Sequence, residues 1–441
     1  MTLIELSATD AARKIRDGLI TSENLVKACL ERIDQVDDTV HAWAHLVPEY
    51  ALDQARALDA LRAKGGPIGP LHGIPVGVKD IIDTKSLPTE NGTVLDSGRR
   101  PKADARVVTL LQEAGAVIMG KTVTTELAVF GPGKTKNPHN PEHTPGGSSS
   151  GSAAAVAAFM VPLAVGTQTN GSVIRPASYC GVFGFKPTHG LIPRTGILCA
   201  SSPLDTVGTF ARSMADTALL AEALIAYDAD DTATRPMAKP SLSKTVGDEP
   251  PLTPIIAFAK TAVWDQADEA TREAFGELVE TLGDDCHDLE LSEPFNHVID
   301  MHRNIMNADL AKNFAGYYEQ GKDKLTDTLR QMIEFGQKVS AVDYNTAIDG
   351  QELLNAGLDL VFEHYDFIIT PATTGEAPLG LGSTGSPVFN TLASYCGVPS
   401  ITLPLMEGAN GLPLGVQVIG PRGDDARLLR NANWLMQRLL G

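Results

Sequence analysis

The chain has 441 residues, an apolar fraction of 43% and a charged fraction of 20%, which are ordinary for a globular protein and exclude global disorder. Lys and Arg total 36 against 54 Asp and Glu, and the resulting net charge of −18 argues against nucleic acid or an anionic membrane as a general partner. No apolar run approaches the roughly 20 residues that span a bilayer, and no signal-peptide pattern opens the chain. The five cysteines are scattered and lack a CxxC pair, which favours a reducing cytoplasm and no structural zinc site.

The order of apolar patterns predicts an α/β protein. The first 65 residues have helical periodicity, and from residue 71 short apolar runs alternate with helical stretches. Helices are predicted at Ala105–Ala114 and Ala153–Phe159. The predicted strands are Ile74–Val78, Ala116–Met119, Val161–Val165, Val182–Phe185, Ile255–Ala259, Phe367–Thr370, Ile401–Leu403 and Val416–Ile419. This alternation indicates a mostly parallel or mixed central sheet.

Two segments have a distinct composition, and a third has a long helical pattern. Gly131–Ser152 is rich in Gly, Pro and Ser but lies between apolar segments, so it is predicted to be an ordered loop. Asp228–Pro254 is polar, which predicts a surface-exposed loop region or a sub-domain boundary. His297–Tyr365 reads as almost continuous helix, polar on one side.

The Gly/Ser loop contains a G-x-S-x-G match that would make Ser149 a hydrolase nucleophile. That motif needs a strand directly before it, and the prolines of residues 137–145 exclude one. Gly133–Thr135 ends like a phosphate-binding loop, but Ala128 replaces its first glycine. Neither interpretation is favoured.

Two further matches are better explained by chance or by surface position. Ser241–Lys244 fits S-x-x-K but lies in the polar excursion without a partner motif. His139 and His143 have the spacing of zinc ligands on a helix, but Pro138 and Pro141 exclude that helix. No metal site is predicted.

A better candidate for a catalytic site combines the turn around Gly171 and Ser172 with Lys79, which lies at the end of a predicted apolar strand. Successive N–H groups in a glycine-containing turn can point at one spot, as an oxyanion hole requires. A lysine that enters a buried site has a lowered pKa and can act as a base. The alternative is an ordinary ion pair of Lys79 with Asp80, Asp83 or another carboxylate, and these residues alone leave both interpretations open.

Three blocks in order resemble the amidase signature family. They are Lys79 after Gly-Val, the block Pro145–Ala157, and Gln168–Pro176, with 69 residues between Lys79 and Ser148 and 24 between Ser148 and Ser172. The resemblance continues at Gly181–Thr188 and Leu204–Gly208. It returns in Asp366–Pro371 and Gly411–Gln417 and is weakest from about residue 230 to 300.

The resemblance implies a Ser–cisSer–Lys triad without metal or organic cofactor. Ser172 would attack the amide carbonyl, Ser148 would follow a cis peptide bond and relay the proton, and Lys79 would be the base. The N–H groups of Thr169, Asn170, Gly171 and Ser172 would form the oxyanion hole.

The sequence Ser172-Val173-Ile174-Arg175 resembles that of malonamidase-type members of the family. This resemblance implies that Arg175 binds a carboxylate of the substrate. The alternative is a structural arginine paired with a buried acid. Ser149 is expected near Lys79, and Ser149, Gln168 and Tyr179 complete the candidate substrate-binding set. Many family members have glycine where this chain has Asn170; asparagine tolerates left-handed φ and could narrow the acyl site.

We therefore expect an α/β amidase signature fold, a mixed sheet of about ten strands with helices on both faces. The single domain 1–441 would contain N-terminal helices (1–65), a core with the triad (66–230), a variable helix-rich region (231–365) and a C-terminal return to the core (366–441). The expected reaction is hydrolysis of a small, carboxylate-bearing linear amide in the cytoplasm. The alternative is the glutamine-hydrolysing A subunit of a transamidosome-like amidotransferase complex. A homodimer or a small helical partner subunit is left open.

Overall fold

The computed structural model describes residues 2–440. Eleven strands of this part form one sheet: β1 Trp43–Leu46, β2 Pro75–Lys79, β3 Val117–Thr122, β4 Leu163–Gln168, β5 Phe183–Lys186, β6 Thr206–Ala211, β7 Ile256–Ala259, β8 Cys286–Leu289, β9 Phe367–Pro371, β10 Ser400–Glu407 and β11 Pro413–Ile419. The α-helices described are α1 Ala8–Arg16, α2 Ser22–Val40, α3 Pro48–Ala63, α4 Arg106–Glu113, α5 Ser150–Ala157, α6 Ile174–Cys180, α7 Met214–Leu224, α8 Leu242–Thr245, α9 Glu269–Leu282, α10 Val298–Asn313, α11 Ala315–Gly321, α12 Asp327–Gly336, α13 Ala341–Phe362, α14 Thr391–Tyr395 and α15 Asp425–Leu440.

The sheet is mixed, as predicted. Its strand order is β1-β3-β2-β4-β6-β5-β10-β11-β9-β7-β8. Strand β2 runs parallel to β3 and β4, β7 runs parallel to β8 and β9, and the other pairs are antiparallel. Each of the four segments expected from the sequence contributes at least one strand; the division itself stays a prediction.

Helices cover both faces of the sheet, which confirms the predicted fold class. Successive side chains of a strand point to opposite faces. Ile256 and Phe258 of β7 accordingly belong to one apolar cluster, which includes side chains of α4, α7, α9 and α15. Ala257 and Ala259 belong to a second cluster with α10, α12 and α13.

The structure corrects two expectations about the elements. The nearly continuous helix predicted for 297–365 is divided into α10, α11, α12 and α13, because Thr326 and Ser340 cap new helices by accepting from the N–H groups of Leu329 and Asp343. The N-terminal region is not all helical, since β1 pairs antiparallel with β3. Strands β6 and β8 were also not predicted from the sequence.

The parallel pairing of β2 with β4 places the chain segments that follow these two strands side by side at one end of the sheet. Val78 lies opposite Val165, so the carboxyl ends of both strands, where Lys79 and Gln168 lie, are adjacent. Helix α5 begins just after Ser148, and α6 begins two residues after Ser172. The three blocks that contain Lys79, Ser148 and Ser172 therefore meet at the carboxyl ends of β2 and β4.

No helix among residues 2–440 combines the length and apolar character needed to cross a bilayer. The five cysteines are free thiols, and Cys199 is the exposed one. The cytoplasmic location stays a prediction.

Candidate active site

Lys79 is held by two hydroxyl groups. Its Nζ lies 2.7 Å from Ser148 Oγ and 2.8 Å from Thr167 Oγ1, and the side chain is fully buried. The carboxylates that could have neutralised it pair elsewhere: Asp80 lies 3.4 Å from Lys121, and Asp83 binds Arg99. The ion-pair alternative for Lys79 is therefore not what this fold contains.

Burial without an adjacent carboxylate changes the basicity of Lys79. Removal of the ammonium from water lowers the pKa of Lys79 to about 7, and the more distant Asp205 opposes this shift weakly. A substantial fraction of the amine is consequently neutral near pH 7. A neutral amine within hydrogen-bond distance of a serine hydroxyl can accept its proton.

Ser148 and Ser172 face the same small cavity. The space left for a water-sized sphere is about 10 Å³, and the space free of protein atoms, including that open to solvent, is about 260 Å³. The cavity is lined by Ala128, Val129, Phe130, Ser148, Thr169, Asn170, Gly171, Ser172, Arg175 and Met306. The Gly147–Ser148 peptide bond is cis, as expected. Lys79, Ser148 and Ser172, which lie far apart in sequence, are thus brought together.

The loop of residues 169–172, called the nucleophile loop because it contains Ser172, has backbone N–H groups that donate no hydrogen bond to the described residues. Within residues 2–440, no backbone bond is made by the N–H groups of Asn170, Gly171 or Ser172, whereas those of Val173 and Ile174 donate to Gln168 Oε1. The left-handed φ considered for Asn170 is absent, and Gly171 does not adopt one either. Glycine is needed at 171 for space, because a Cβ there would lie 2.3 Å from Asn390 Oδ1.

Side chains from distant segments hold this loop from outside. Thr169 Oγ1 donates to Asp205 over 2.5 Å, and the carbonyl oxygen of Thr169 accepts from His302 Nε2 at 3.0 Å. Asn170 Oδ1 accepts from Thr391 Oγ1 at 3.0 Å. The loop is therefore fixed by the residue that precedes β6 and by helices α10 and α14.

Arg175 is an isolated buried cation. Its side chain is 1% exposed, and Nη2 donates to the carbonyl oxygen of Gly147 at 2.6 Å and to Thr384 Oγ1 at 3.2 Å. Its Nε and Nη1 have no partner, and no carboxylate among the described residues pairs with it. The ring of Phe130 lies 5.8 Å from the guanidinium. Burial lowers the pKa of Arg175 to about 10, so it remains a cation at neutral pH.

Three predicted substrate-binding residues do not line the cavity over Ser172. Ser149 Oγ instead donates to the carbonyl oxygen of Thr167 at 3.2 Å and accepts from its N–H at 3.3 Å. Gln168 accepts from the start of α6 and donates to Ser394. Tyr179 is fully buried, and its hydroxyl has no partner.

Thr167, Asp205 and His302 were not identified as site residues from the sequence. Asp205 lies inside a segment that carries the family resemblance and Thr167 directly precedes another, but nothing local assigns either residue a contact. His302 is separated from Thr169 by 133 residues. Burial lowers the pKa of His302 to about 4, so the ring is neutral at pH 7 and donates from Nε2. Only the folded chain reveals this contact.

Comparison with known proteins agrees with the geometry. The family model described as Amidase matches residues 24–429. The A subunit of glutamyl-tRNA(Gln) amidotransferase from Salinispora arenicola (strain CNS-205) is 34% identical over 477 residues, which cover 98% of this chain and 96% of that protein.

Two solved structures resemble the whole chain. The native peptide amidase from Stenotrophomonas maltophilia has a TM-score of 0.85 and 28% identity, covering 99% of this chain and 97% of that one. A chain from a vestigial complex related to the origin of an s-triazine catabolic enzyme has a TM-score of 0.91 and 25% identity, covering 98% of both chains. Because the family model matches almost the entire length of this chain, the chain belongs to the amidase signature family of carbon–nitrogen hydrolases.

Proposed function

We propose that the chain hydrolyses a small linear amide that bears a carboxylate, giving an acid and ammonia or an amine through an acyl-enzyme on Ser172. The observation that carries this proposal is the unpaired Arg175 in the wall of the cavity that Ser172 lines. A buried cation without a counter-ion is costly, and a substrate carboxylate would supply the missing acceptor.

The triad geometry supports the chemistry as follows. Neutral Lys79 accepts the proton of Ser148 while Ser148 takes that of Ser172, whose Oγ forms a bond to the amide carbon. The N–H groups of Asn170, Gly171 and Ser172, with that of Thr169, would stabilise the oxyanion. The proton then returns through Ser148 to the leaving nitrogen as the carbon–nitrogen bond breaks. Water hydrolyses the resulting ester and restores Ser172.

Arg175 would fix the far end of the substrate. Its Nη1 lies near the nucleophile loop, since a Cβ placed on Gly171 would meet it at 3.1 Å. A carboxylate that accepts from Nη1 therefore lies beside the reacting carbonyl. This proximity favours short substrates, in which one or two carbons separate carboxylate and amide. Ser149, Gln168 and Tyr179 are then positioning residues rather than substrate ligands.

A second candidate function is that of the glutamine-hydrolysing component in an amidotransferase built from several subunits. It is favoured by the amidotransferase relatives at 34 and 32% identity, which are covered to 96% of their length. Glutamine also has a carboxylate that Arg175 could bind. Under this proposal the chain needs partner subunits, whereas the first proposal needs none.

Ammonia release by the purified chain distinguishes the two. The substrates are matched pairs: malonamic acid with propionamide, succinamic acid with butyramide, and glutamine tested with and without candidate partner subunits. The first proposal predicts turnover of a carboxylated amide by the chain alone, at a kcat/KM at least roughly tenfold above its neutral match. Equal rates within both pairs would contradict the role of Arg175. Activity confined to glutamine with partner subunits would establish the second candidate.

A further inference from the structure

A second cavity of about 160 Å³ adjoins the nucleophile loop. It shares Ala128 and Thr169 with the cavity over Ser172, and it also reaches Thr167, the hydroxyl partner of Lys79. The rest of its wall comes from Ile81, residues 194–195 and 197–200, residues 205–207 and residues 230–231. The two cavities therefore meet beside the proposed proton relay.

The wall of this second cavity does not suit an anion. Arg194 is its basic residue, and Asp231 accepts from Nε at 3.0 Å and from Nη2 at 2.8 Å. Arg194 Nη1 donates to the carbonyl oxygens of Ser202 and Asp205. The acidic residues Asp205 and Asp230 also line the cavity, and Ile81, Ile197 and Leu198 provide apolar surface. A neutral apolar group fits this lining, in contrast to the carboxylate that Arg175 would take.

Position relative to the relay indicates which part of a substrate would enter. In the proposed mechanism, the leaving nitrogen receives its proton from the Lys79 and Ser148 side. Ser148 and Arg175 both line only the first cavity, so the amide lies there, whereas Thr167, the other hydroxyl partner of Lys79, lines the second cavity on the Lys79 side. The acyl part of the substrate thus lies toward Arg175, and a substituent on the nitrogen lies toward the second cavity.

We propose that this cavity binds the nitrogen substituent of a secondary amide, so that the substrates include N-substituted monoamides of short dicarboxylic acids. The inference rests on the proposed function. An engineered apolar cavity of about 150 Å³ accommodates benzene, so a compact group such as benzyl is the expected upper size. In the reaction the Ser172 Oγ–carbon bond forms and the carbon–nitrogen bond breaks. The serine proton passes to the nitrogen, and a neutral primary amine leaves before water cleaves the ester.

The test compares succinamic acid with N-benzylsuccinamic acid on the full chain. Wild type is expected to hydrolyse both, and the informative quantity is the ratio of the two kcat/KM values. Cys199 lies in the cavity wall and is exposed, so Cys199→Trp can fill space without disturbing the core. This variant should lower the benzyl-to-unsubstituted ratio at least roughly tenfold. Leu353→Trp places the same side chain at an exposed position of α13 and should keep the wild-type ratio.

Each other outcome is decisive. Hydrolysis of succinamic acid without hydrolysis of its N-benzyl derivative would overturn this inference while leaving the proposed function intact. Hydrolysis of both with a ratio that Cys199→Trp does not change would also overturn it, because the benzyl group would then lie elsewhere. Failure to hydrolyse either amide, with the chain folded, would refute the proposed function and this inference with it.

Discussion

Arg175 Nη2 donates to the carbonyl oxygen of Gly147 over 2.6 Å. The proposed carboxylate anchor is therefore bonded to the peptide unit that precedes Ser148, the proposed proton relay. Its other donors, Nε and Nη1, have no partner among the described residues. Recognition of the substrate and placement of the relay serine consequently depend on one side chain.

This arrangement predicts a selective effect of Arg175→Gln. Glutamine keeps an N–H donor for Gly147 but removes the positive charge, so kcat/KM for malonamic or succinamic acid should fall roughly tenfold to hundredfold. The neutral amides propionamide and butyramide should lose far less. Steady-state kinetics on both pairs measure the difference, and an equal loss on charged and neutral amides would indicate that Arg175 acts only on the geometry at Gly147.

The kcat/KM should fall at low pH because Lys79 becomes protonated. Its pKa of about 7 means that the neutral base accumulates as pH rises, so kcat/KM should increase tenfold per pH unit below 7 and level off above it. A profile that declines from pH 6 to 9 while the protein stays folded would contradict a lysine base.

The same shift affects stability. The unfolded chain binds the Lys79 proton between about pH 7 and the ordinary value of 10.5 whereas the folded chain does not, so stability rises with pH through this window. Lys79→Met should reduce that rise without abolishing it, because burial also lowers the pKa of Lys186 to about 7. Denaturant unfolding at pH 7 and pH 9 measures both effects. An unchanged slope with pH in Lys79→Met would show that Lys79 is not buried as an unpaired amine.

Substitution of Ser172 or Ser148 should have a far larger effect than substitution of Ser149. Ser172→Ala and Ser148→Ala remove the proposed nucleophile and relay, so activity should fall to background. Ser149→Ala removes only the bonds to the backbone of Thr167 and should retain a measurable fraction of kcat. Initial rates with a folded-state control by circular dichroism decide the matter. Wild-type activity in Ser172→Ala would exclude the mechanism.

His302 should act as a positioning residue for the nucleophile loop. His302→Phe leaves the buried carbonyl of Thr169 without its donor, a loss of about 1–3 kcal/mol, and misplacement of the loop should lower kcat more than it changes KM. His302→Gln restores an N–H donor and should recover much of kcat. If the glutamine variant is as impaired as the phenylalanine variant, the donor to Thr169 is not what matters.

How far the sequence predicts this molecule depends on whether the information is local. Lys79, Ser148 and Ser172 were identifiable because each lies in a short segment with a specific wording. The strands β1 and β8 each have one buried residue out of four, so no apolar run marks them, whereas the equally short β5 and β7 are fully buried and were predicted.

The supporting contacts are not local. Asp205, His302 and Thr391 reach the loop across 36, 133 and 221 residues, and no periodicity encodes such meetings. The unpaired state of Arg175 likewise required the fold, because the alternative of a buried acidic partner could be rejected only after every neighbour was placed.

Covalent labelling of the active serine tests whether Lys79 activates Ser172 as the nucleophile. The chain is incubated with a fluorophosphonate, and the adduct is located and timed by peptide mass spectrometry in wild type and Lys79→Met. We expect a single adduct on Ser172 that forms at least roughly a hundredfold more slowly in Lys79→Met, because the general base is missing. An adduct on Ser149, or equal labelling of Ser172 in both proteins, would contradict it.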